Sequence, residues 1–454
     1  MSYETAVAQM YALGHELAQT PSHKFDLAHM RVLLAALGNP EKSFPSVLVA
    51  GTNGKGSTAA TLASIVQASG LKSALYTSPH LIQINERIRV NEEPIGDDDF
   101  ALLHDVVDRT VERLVTEGDL PGHPSFFEML TAMAFEHFAR VRPDVAVLEV
   151  GMGGRLDATN VVEPRVSIIT DIALDHQKYL GETVREIARE KAGIIRRGGV
   201  VVTLPQLAEA NDVIGHTVLE LGARAVSAVP YVPPVSPGSS QYLVPNAQKV
   251  GDSFLRLRYP LQILNQEILV DSPLAGRHQL RNIALALAGA EELRNQGFVQ
   301  ITSAAIEEGI RETHWPGRFQ VVRPDARGPE YVLDVAHNPA GAWALRSTLS
   351  AAYGERPVTL VFGVMRDKAV AEIAEVLFPI AECVIVTHAN SPRSASVEEI
   401  RQAASRVAGD IHEAADVPSA LSAARGMAGP NGVVVATGSI YIVGEAMRQL
   451  GVRI

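Results

Sequence analysis

Two α/β domains are predicted for this 454-residue chain: an N-terminal doubly wound domain built on a phosphate-binding loop, and a smaller C-terminal Rossmann-like α/β domain. Three observations predict them. An apolar run, Val47-Leu48-Val49-Ala50, ends in a glycine-rich turn followed by a helix-compatible stretch from Ser57 to Ala68. Nearly all-apolar strands alternate with helical patterns, as expected when parallel strands are covered on both faces. The alternation begins afresh after Trp315-Pro316-Gly317, and a chain this long exceeds one ordinary core. The boundary therefore falls near residue 315, giving domains 1–314 and 315–454.

Residues 1–44 read as helical and amphipathic, with Leu27, Met30, Leu33, Leu34 and Leu37 at helical spacing. Lys72–Thr77 reads as a short strand stopped by Ser78-Pro79. Ile82–Asn91 reads as a polar loop. Asp97–Glu117 is a helix whose opening aspartates suit the helix dipole, and Ser125–Arg140 is another. Asp144–Val150 is a central parallel strand and Arg165–Thr170 a second; Glu182–Ile194 is a helix and Gly199–Thr203 a strand. The five prolines of 229–245 predict an irregular excursion. Ser253–Tyr259 and Glu267–Val270 form an antiparallel pair, and Arg277–Asn295 a long helix. The second alternation has strands at Tyr331–Val335, Val358–Phe362, Cys383–Thr387 and Val433–Ala436, with helices near 340–352, 368–378, 396–408 and 416–427. No short-period repeat is present.

Composition narrows the function. Forty Lys plus Arg stand against 51 Asp plus Glu, a formal charge of −11, which argues against a nucleic-acid backbone as main ligand. A small anionic ligand in a local basic pocket stays open. One cysteine, Cys383, excludes an internal disulfide and suits a reducing cytoplasm; its apolar neighbours mark a buried thiol rather than a nucleophile. No signal pattern opens the chain and no apolar run reaches membrane-spanning length. A cytoplasmic protein is expected, with no membrane partner.

The candidate site residues lie at strand ends. Glycines in the turn after Ala50 let the backbone approach an anion, with helix-start amides pointing at it. Lys55 reaches the outer phosphates, and the Ser57 or Thr58 hydroxyl meets phosphate oxygen or magnesium. The spacing departs from the common loop: Gly51 stands too near Gly54-Lys55, and Gly56 intervenes before Ser57. An ordinary strand-to-helix turn is the alternative. Glu149 ends its strand and enters Gly151–Asn160, pointing at the crevice where parallel sheets bind ligands; otherwise it is a solvated strand end and Asp157 a helix cap. Asp175-His176 follows the next strand on the same edge, where an oxygen-rich magnesium site is chemically reasonable. Lys191, read alone, is a lysine suited to a helix C-terminal dipole. Asp334, His337 and Asn338 occupy the corresponding crevice of the second domain, with Asn-Pro as a turn former the alternative.

Taken together these pieces resemble one family. GTNGKGS (51–57), TSPHL (77–81), NERI (85–88), LEVGMGGRLDATN (148–160), LDH (174–176), LG-T (180–183), EKAGII (190–195), HQLRNIALAL (278–287), WPGR (315–318), DVAHNPAGA (334–342) and GSIYIVGE (438–445) occur in the order seen in folylpolyglutamate synthases, including the bifunctional bacterial dihydrofolate synthases of the Mur ligase superfamily. The resemblance covers nearly the whole chain, and the atypical loop is that superfamily's own variant.

The resemblance implies an N-terminal P-loop ATPase domain and an ATP-dependent amide ligase. A carboxylate of dihydropteroate or a folate is phosphorylated, and the amine of L-glutamate displaces phosphate. It implies that Thr52, Asn53, Gly54, Lys55, Gly56 and Ser57 hold the ATP phosphates, that Asn282 and Arg318 contact nucleotide, and that Asp334 and His337 serve ATP and glutamate handling. It implies Ser78, Glu149, His176 and Lys191 as ligands of two magnesium ions, with Lys191 carbamylated, and Lys55, His176 and Lys191 as catalytic. Ser439 is a weaker match for glutamate binding. Arg318, near the domain boundary, is expected to sense domain closure. A monomer is implied. Folylpolyglutamate synthase alone, or another Mur-type ligase acting on a cell-wall precursor, is the nearer alternative. A nucleotide-binding regulatory module without catalysis is the distant one, since it would need a broken metal constellation.

Overall fold

Strands made only of buried apolar residues must be covered on both faces, and this requirement sets the architecture. The computed structural model describes residues 1–14, 27–234, 243–245, 255–324, 328–354, 356–407 and 411–452. Its first sheet contains β1 (Ser46–Ala50), β2 (Ser73–Tyr76), β3 (Ile88–Val90), β4 (Glu93–Pro94), β5 (Val145–Glu149), β6 (Val166–Ile169), β7 (Val200–Thr203) and β8 (Arg224–Ser227), in the order β4-β3-β2-β5-β1-β6-β7-β8. From β2 to β8 every neighbouring pair is parallel. All residues of β1, β2, β5 and β6 are buried.

A three-stranded antiparallel sheet follows, with β9 (Leu243–Pro245), β10 (Leu255–Ile263) and β11 (Gln266–Ser272) in the order β11-β10-β9. The third sheet has β12 (Gln320–Val322), β13 (Glu330–Leu333), β14 (Val358–Phe362), β15 (Cys383–Val386), β16 (Ile411–Glu413) and β17 (Val433–Thr437), ordered β12-β13-β17-β14-β15-β16. It is parallel except for β12 on β13. Phe319, Leu345, Leu360, Phe362, Ile373 and Leu377 are among the buried side chains of its core. The predicted doubly wound α/β fold and the second α/β layer are both present.

The described residues group into two compact units, Met1–Tyr231 with Asn282–Gly309, and Val232–Arg281 with Ile310–Ile454. This grouping differs from a single cut near residue 315, because 232–281 groups with the later residues. Such grouping depends on long-range packing, which chain order does not display.

Most predicted elements stand within a residue or two of their expected bounds; the long helix Arg277–Asn295 and the strand Val358–Phe362 match throughout. In the stretch expected to be helical over 1–44, helices cover Tyr3–Ala12 and Leu27–Ala36, and residues 15–26 lie outside the described residues. Part of the proline-rich excursion, 235–242, also lies outside them. Ile82–Asn91 is corrected: it forms a 3-10 turn, Ile84–Arg87, and then β3, paired antiparallel to β2. Its charged residues are buried and paired, so the apolar alternation that marks a strand is missing. Helices at Ala208–Leu221, Ser303–Glu312 and Ile440–Gln449 had no expected counterpart. Cys383 is half-buried rather than buried, with its Sγ 3.3 Å from Met427 Sδ, and burial pushes its thiol pKa up, against a nucleophilic role. Among the described residues no helix is long and apolar enough to cross a membrane.

Candidate active site

In the first sheet β1 has β5 on one side and β6 on the other, so connections leave in opposite directions and open a crevice at the strands' C-terminal ends. The loop from Gly51 emerges there. Thr52 and Asn53 donate their backbone N–H to Asp171 O at 2.8 and 3.2 Å. Thr52 Oγ1 donates to Ala173 O at 3.0 Å and accepts the Ala173 amide at 3.1 Å, tying the loop to the stretch after β6. Gly54 has φ +91°, and a Cβ there would sit 2.1 Å from Asn282 Oδ1. A Cβ on Gly51 would sit 1.8 Å from Thr170 Oγ1. Only glycine fits at both points.

The helix Lys55–Ala68 starts directly after Gly54, so its first amides face the crevice mouth, and Lys55 Nζ donates to Thr52 O of the loop at 3.4 Å. Thr58 Oγ1 donates to Asn282 O at 3.3 Å. Of the two hydroxyls considered, Thr58 is thus held by the Asn282 helix, and buried Ser57 is the loop's own hydroxyl.

Three further expected residues stand at the same edge. Glu149 is the last residue of β5, in register with Val49 of β1, and Ser78 follows β2. The Ser78 amide donates to Glu149 Oε2 at 3.2 Å, which joins the two strand ends directly. His176 has φ +50°, and its amide donates to Asp175 Oδ1 at 2.8 Å. Asp175 Oδ2 lies 3.9 Å from His176 Nε2. Asp157 instead takes the capping alternative: its carboxylate accepts Met152 N, Thr159 N and Thr159 Oγ1 at 3.0, 3.0 and 2.5 Å.

Lys191 is the residue the structure changes most. It sits in the last turn of the helix Val184–Ala192, but its side chain turns inward and is buried. Nζ donates to Gly51 O at 2.6 Å, so the lysine touches the nucleotide-type loop itself. Burial first, then the charge of Lys55, lowers its pKa from 10.5 to about 7, against the opposing pull of Asp175 and Asp157. A dipole-facing lysine in water would show none of this.

Glu86 lies in the NERI stretch, 85–88, to which the sequence assigns no role. Its carboxylate accepts the amides of Leu81, Ile82 and Gln83 at 2.7, 2.7 and 2.5 Å. It thereby shapes the loop that follows Ser78. Arg87 Nε donates to His80 Nδ1 at 2.9 Å, and its guanidinium lies 5.3 Å from the Phe126 ring centre. Acceptance at Nδ1 places the His80 proton on Nε2, which faces Tyr11 Oη at 3.2 Å. The signal for Glu86 was its place three residues after Gln83, the spacing of a capping box.

In the second unit, Asp334 follows β13 and is buried. Its Oδ2 accepts Phe319 N at 2.8 Å and its Oδ1 accepts Ala336 N at 2.9 Å. Burial raises its pKa, while the nearby Arg318 guanidinium pulls the other way. The Val335 amide donates to Gly317 O at 3.0 Å, so the WPGR turn is fastened to the end of β13 from both sides. Arg318 lies 5.9 Å from the Trp315 ring centre and donates to Gly317 O at 3.2 Å. His337 Nδ1 donates to Val335 O at 2.9 Å, which makes Nε2 the accepting nitrogen. Asn338 caps the helix Pro339–Tyr353 through Gly341 N, the turn-forming alternative. Ser439 caps Ile440–Gln449 through Ile442 N.

Comparison with known proteins decides the family. A Mur ligase middle-domain model matches residues 49–290, and the Mur ligase glutamate ligase domain matches 317–440. The dihydrofolate synthase/folylpolyglutamate synthase of Bacillus subtilis is 33% identical over 93% of this chain and 94% of its own length. The chain belongs to the dihydrofolate synthase/folylpolyglutamate synthase family of Mur ligases. The Mycobacterium tuberculosis protein of the same name is 35% identical over 98% of this chain and 94% of its own. A solved Mycobacterium tuberculosis folylpolyglutamate synthase complexed with ADP superposes with a TM-score of 0.84 at 32% identity, covering 98% of this chain and 99% of that one.

The family's expected residues fall into two sets. Thr52 to Ser57, Ser78, Glu149, His176, Lys191 and Asn282 are all in the first unit, and the loop, Ser78, Glu149 and His176 follow the C-terminal ends of its neighbouring strands β1, β2, β5 and β6. Arg318, Asp334 and His337 are in the second. The buried Glu149 carboxylate and the Ser78 hydroxyl at the sheet edge are the oxygen donors a hard magnesium ion takes beside several waters, and the His176 imidazole is the less usual nitrogen donor of the set. Lys191 cannot ligate a metal as an ammonium, and a carbamate on it would supply the oxygen donors that magnesium takes.

Proposed function

We propose that the chain joins L-glutamate to dihydropteroate and to folates, as a bifunctional dihydrofolate synthase/folylpolyglutamate synthase. Family membership makes it an ATP-dependent ligase of folate metabolism. The observation that carries the residue-level reading is the Lys191–Gly51 contact, a buried near-neutral amine set against the loop of a nucleotide site.

The chemistry runs in two displacements. A carboxylate oxygen of the folate attacks the γ-phosphorus of ATP, and the β–γ bridging oxygen leaves with ADP. The glutamate amine then attacks the acyl carbon, the C–O bond to phosphate breaks, and the amine gives up its proton. Lys55 and Ser57 hold the phosphates, the glycines let the backbone close on them, and Asn282 sits against Gly54 to fix that approach. Ser78, Glu149, His176 and a carbamylated Lys191 would hold the magnesium ions. When bound, magnesium neutralises phosphate charge in the transition state. A lysine with pKa about 7 is about half neutral amine at neutral pH, and the neutral form is the one that adds to CO₂. Addition forms an N–C bond, releases one proton, and yields an anionic carbamate. Arg318 reaches nucleotide from the WPGR turn that Asp334 fastens, and His337 serves glutamate handling.

Functionally we divide the chain at 1–314 and 315–454, supported by the separate matches at 49–290 and 317–440. We place it in the cytoplasm, supported by its single cysteine, with small-molecule partners and no nucleic acid, supported by its charge of −11, and as a monomer, supported by the family resemblance alone. Light scattering tests the monomer. The deciding experiment is ADP release with L-glutamate and dihydropteroate, repeated with tetrahydrofolate. Turnover with both supports the proposal. Turnover with tetrahydrofolate alone leaves folylpolyglutamate synthase only, and silence with both points to another acceptor.

A further inference from the structure

The ladder between β6 and β7 stops at the crevice, and one side chain continues it. The last paired residues are Ile169 and Thr203, and Thr203 Oγ1 donates to Ile169 O at 3.2 Å. Pro205 then offers no backbone N–H. Gln206 stands in for the missing strand. Its Nε2 donates to Thr170 O at 3.3 Å and its Oε1 accepts the Ile172 amide at 3.0 Å. A donor for the carbonyl and an acceptor for the amide admit one orientation of the side chain. Gln206 is itself gripped in the same way. Asn211, in the first turn of the helix Ala208–Leu221, accepts the Gln206 amide with Oδ1 at 3.0 Å and donates Nδ2 to Gln206 O at 2.9 Å. Two side-chain amides in series, each using both ends, thus hold residues 170–172.

What they hold is the support of the glycine loop. Thr170 and Ile172 flank Asp171, whose carbonyl accepts the Thr52 and Asn53 amides at 2.8 and 3.2 Å. Ala173 is clipped on its N–H and its C=O by Thr52 Oγ1 at 3.1 and 3.0 Å. The Thr170 amide donates to Ala50 O at 2.8 Å, at the root of the loop. A Cβ on Gly51 would sit 1.8 Å from Thr170 Oγ1, so the two segments are in close contact and a shift of one is felt by the other. The same stretch runs on to Asp175 and His176.

We propose that Gln206 is a positioning residue of the nucleotide site, acting through 170–173 on the glycine loop, with Asn211 as its anchor. Neither side chain has to touch ATP for this. Loop amides hold phosphate oxygens only while they point at them within hydrogen-bonding distance, so a loop released from Asp171 binds more weakly. The loop grips phosphate in the ground state and the transition state alike, and the effect therefore falls on KM for ATP rather than on kcat. The inference rests on the reading of 51–57 as the phosphate loop.

The test is calorimetric titration of the full chain with a non-hydrolysable ATP analogue, beside KM for ATP in the ADP-release assay. Gln206→Leu keeps the bulk and removes both bonds. It should weaken analogue binding and raise KM for ATP about tenfold, with kcat and KM for L-glutamate within about twofold of wild type. Asn211→Ala, at an exposed position, should give about threefold, and it serves if Gln206→Leu fails to fold. In the double variant it should add nothing, because the path through Gln206 is already cut. Lys55→Ala separates the inference from the reading beneath it. Weakened binding in Lys55→Ala but unchanged binding in folded Gln206→Leu overturns the role of Gln206 alone. Unchanged binding in Lys55→Ala overturns the loop reading and the inference with it. An equal rise in KM for ATP and for L-glutamate overturns the inference too, since general loosening of the fold would do that. A further loss in the double variant overturns the part assigned to Asn211.

Discussion

Replacing Lys191 with methionine separates burial of this lysine from every other feature of the site. The wild-type amine has its pKa lowered from 10.5 to about 7 by the fold. Between those values the unfolded chain holds a proton that the native chain has released, so native stability rises with pH across that window. Below pH 7 both states are protonated and the whole burial cost is present. At about 1.4 kcal/mol per pKa unit, that cost is up to about 5 kcal/mol, of which about 2 is recovered between pH 7 and 9, since the native lysine is already half deprotonated at pH 7. Lys191→Met has no proton to lose. It also leaves Gly51 O without its donor, at about 1–3 kcal/mol, but that offset does not depend on pH. Urea unfolding of both proteins at pH 7 and pH 9, in CO₂-free buffer, reads the difference. The wild type should gain about 2 kcal/mol on the variant over this interval. Parallel pH profiles would refute the reasoning, because they would mean that Lys191 is solvated in the native state. Bicarbonate labelled with ¹³C should then give a carbamate resonance in the wild type that the variant lacks, and the variant should release no ADP.

Other substitutions probe the frame around the nucleotide. Gly54→Ala forces a side chain into φ +91° and against Asn282 Oδ1, so the ATP analogue should bind at least ~tenfold more weakly in calorimetry while circular dichroism is unchanged. Asp334→Asn leaves one of the Phe319 and Ala336 amides facing an NH₂ group; a loss of about 1–3 kcal/mol in unfolding and a raised KM for ATP are expected. Arg318→Ala should lower ATP affinity and turnover together, and unchanged values would remove it from the site. Glu86→Gln removes the charge that gathers the amides of Leu81, Ile82 and Gln83, so proteolysis between residues 78 and 84 should quicken measurably.

What the sequence determined by itself was whatever depends on local pattern. The strands Val145–Glu149 and Val358–Phe362 are continuous apolar runs, and a buried parallel strand needs that composition. The glycine loop was legible because close backbone approach admits glycine alone, and the ordered motifs carried the family. Tertiary structure decided what depends on distant partners. Lys191, read apart from the family motifs, looked like a lysine suited to a helix C-terminal dipole; the motifs implied a site role, and the fold shows its side chain turned onto Gly51, 140 residues away in sequence. Glu86, Arg87 and Arg89 looked like loop charges until local pairing buried them and let β3 join the sheet edge. Asp334 looked like a ligand contact, and the fold spends both its oxygens on backbone amides that fasten the Arg318 turn. Periodicity reports whether a side chain is apolar. It does not report whether a charge has found partners, and that depends on which remote backbone groups the fold brings within hydrogen-bonding distance.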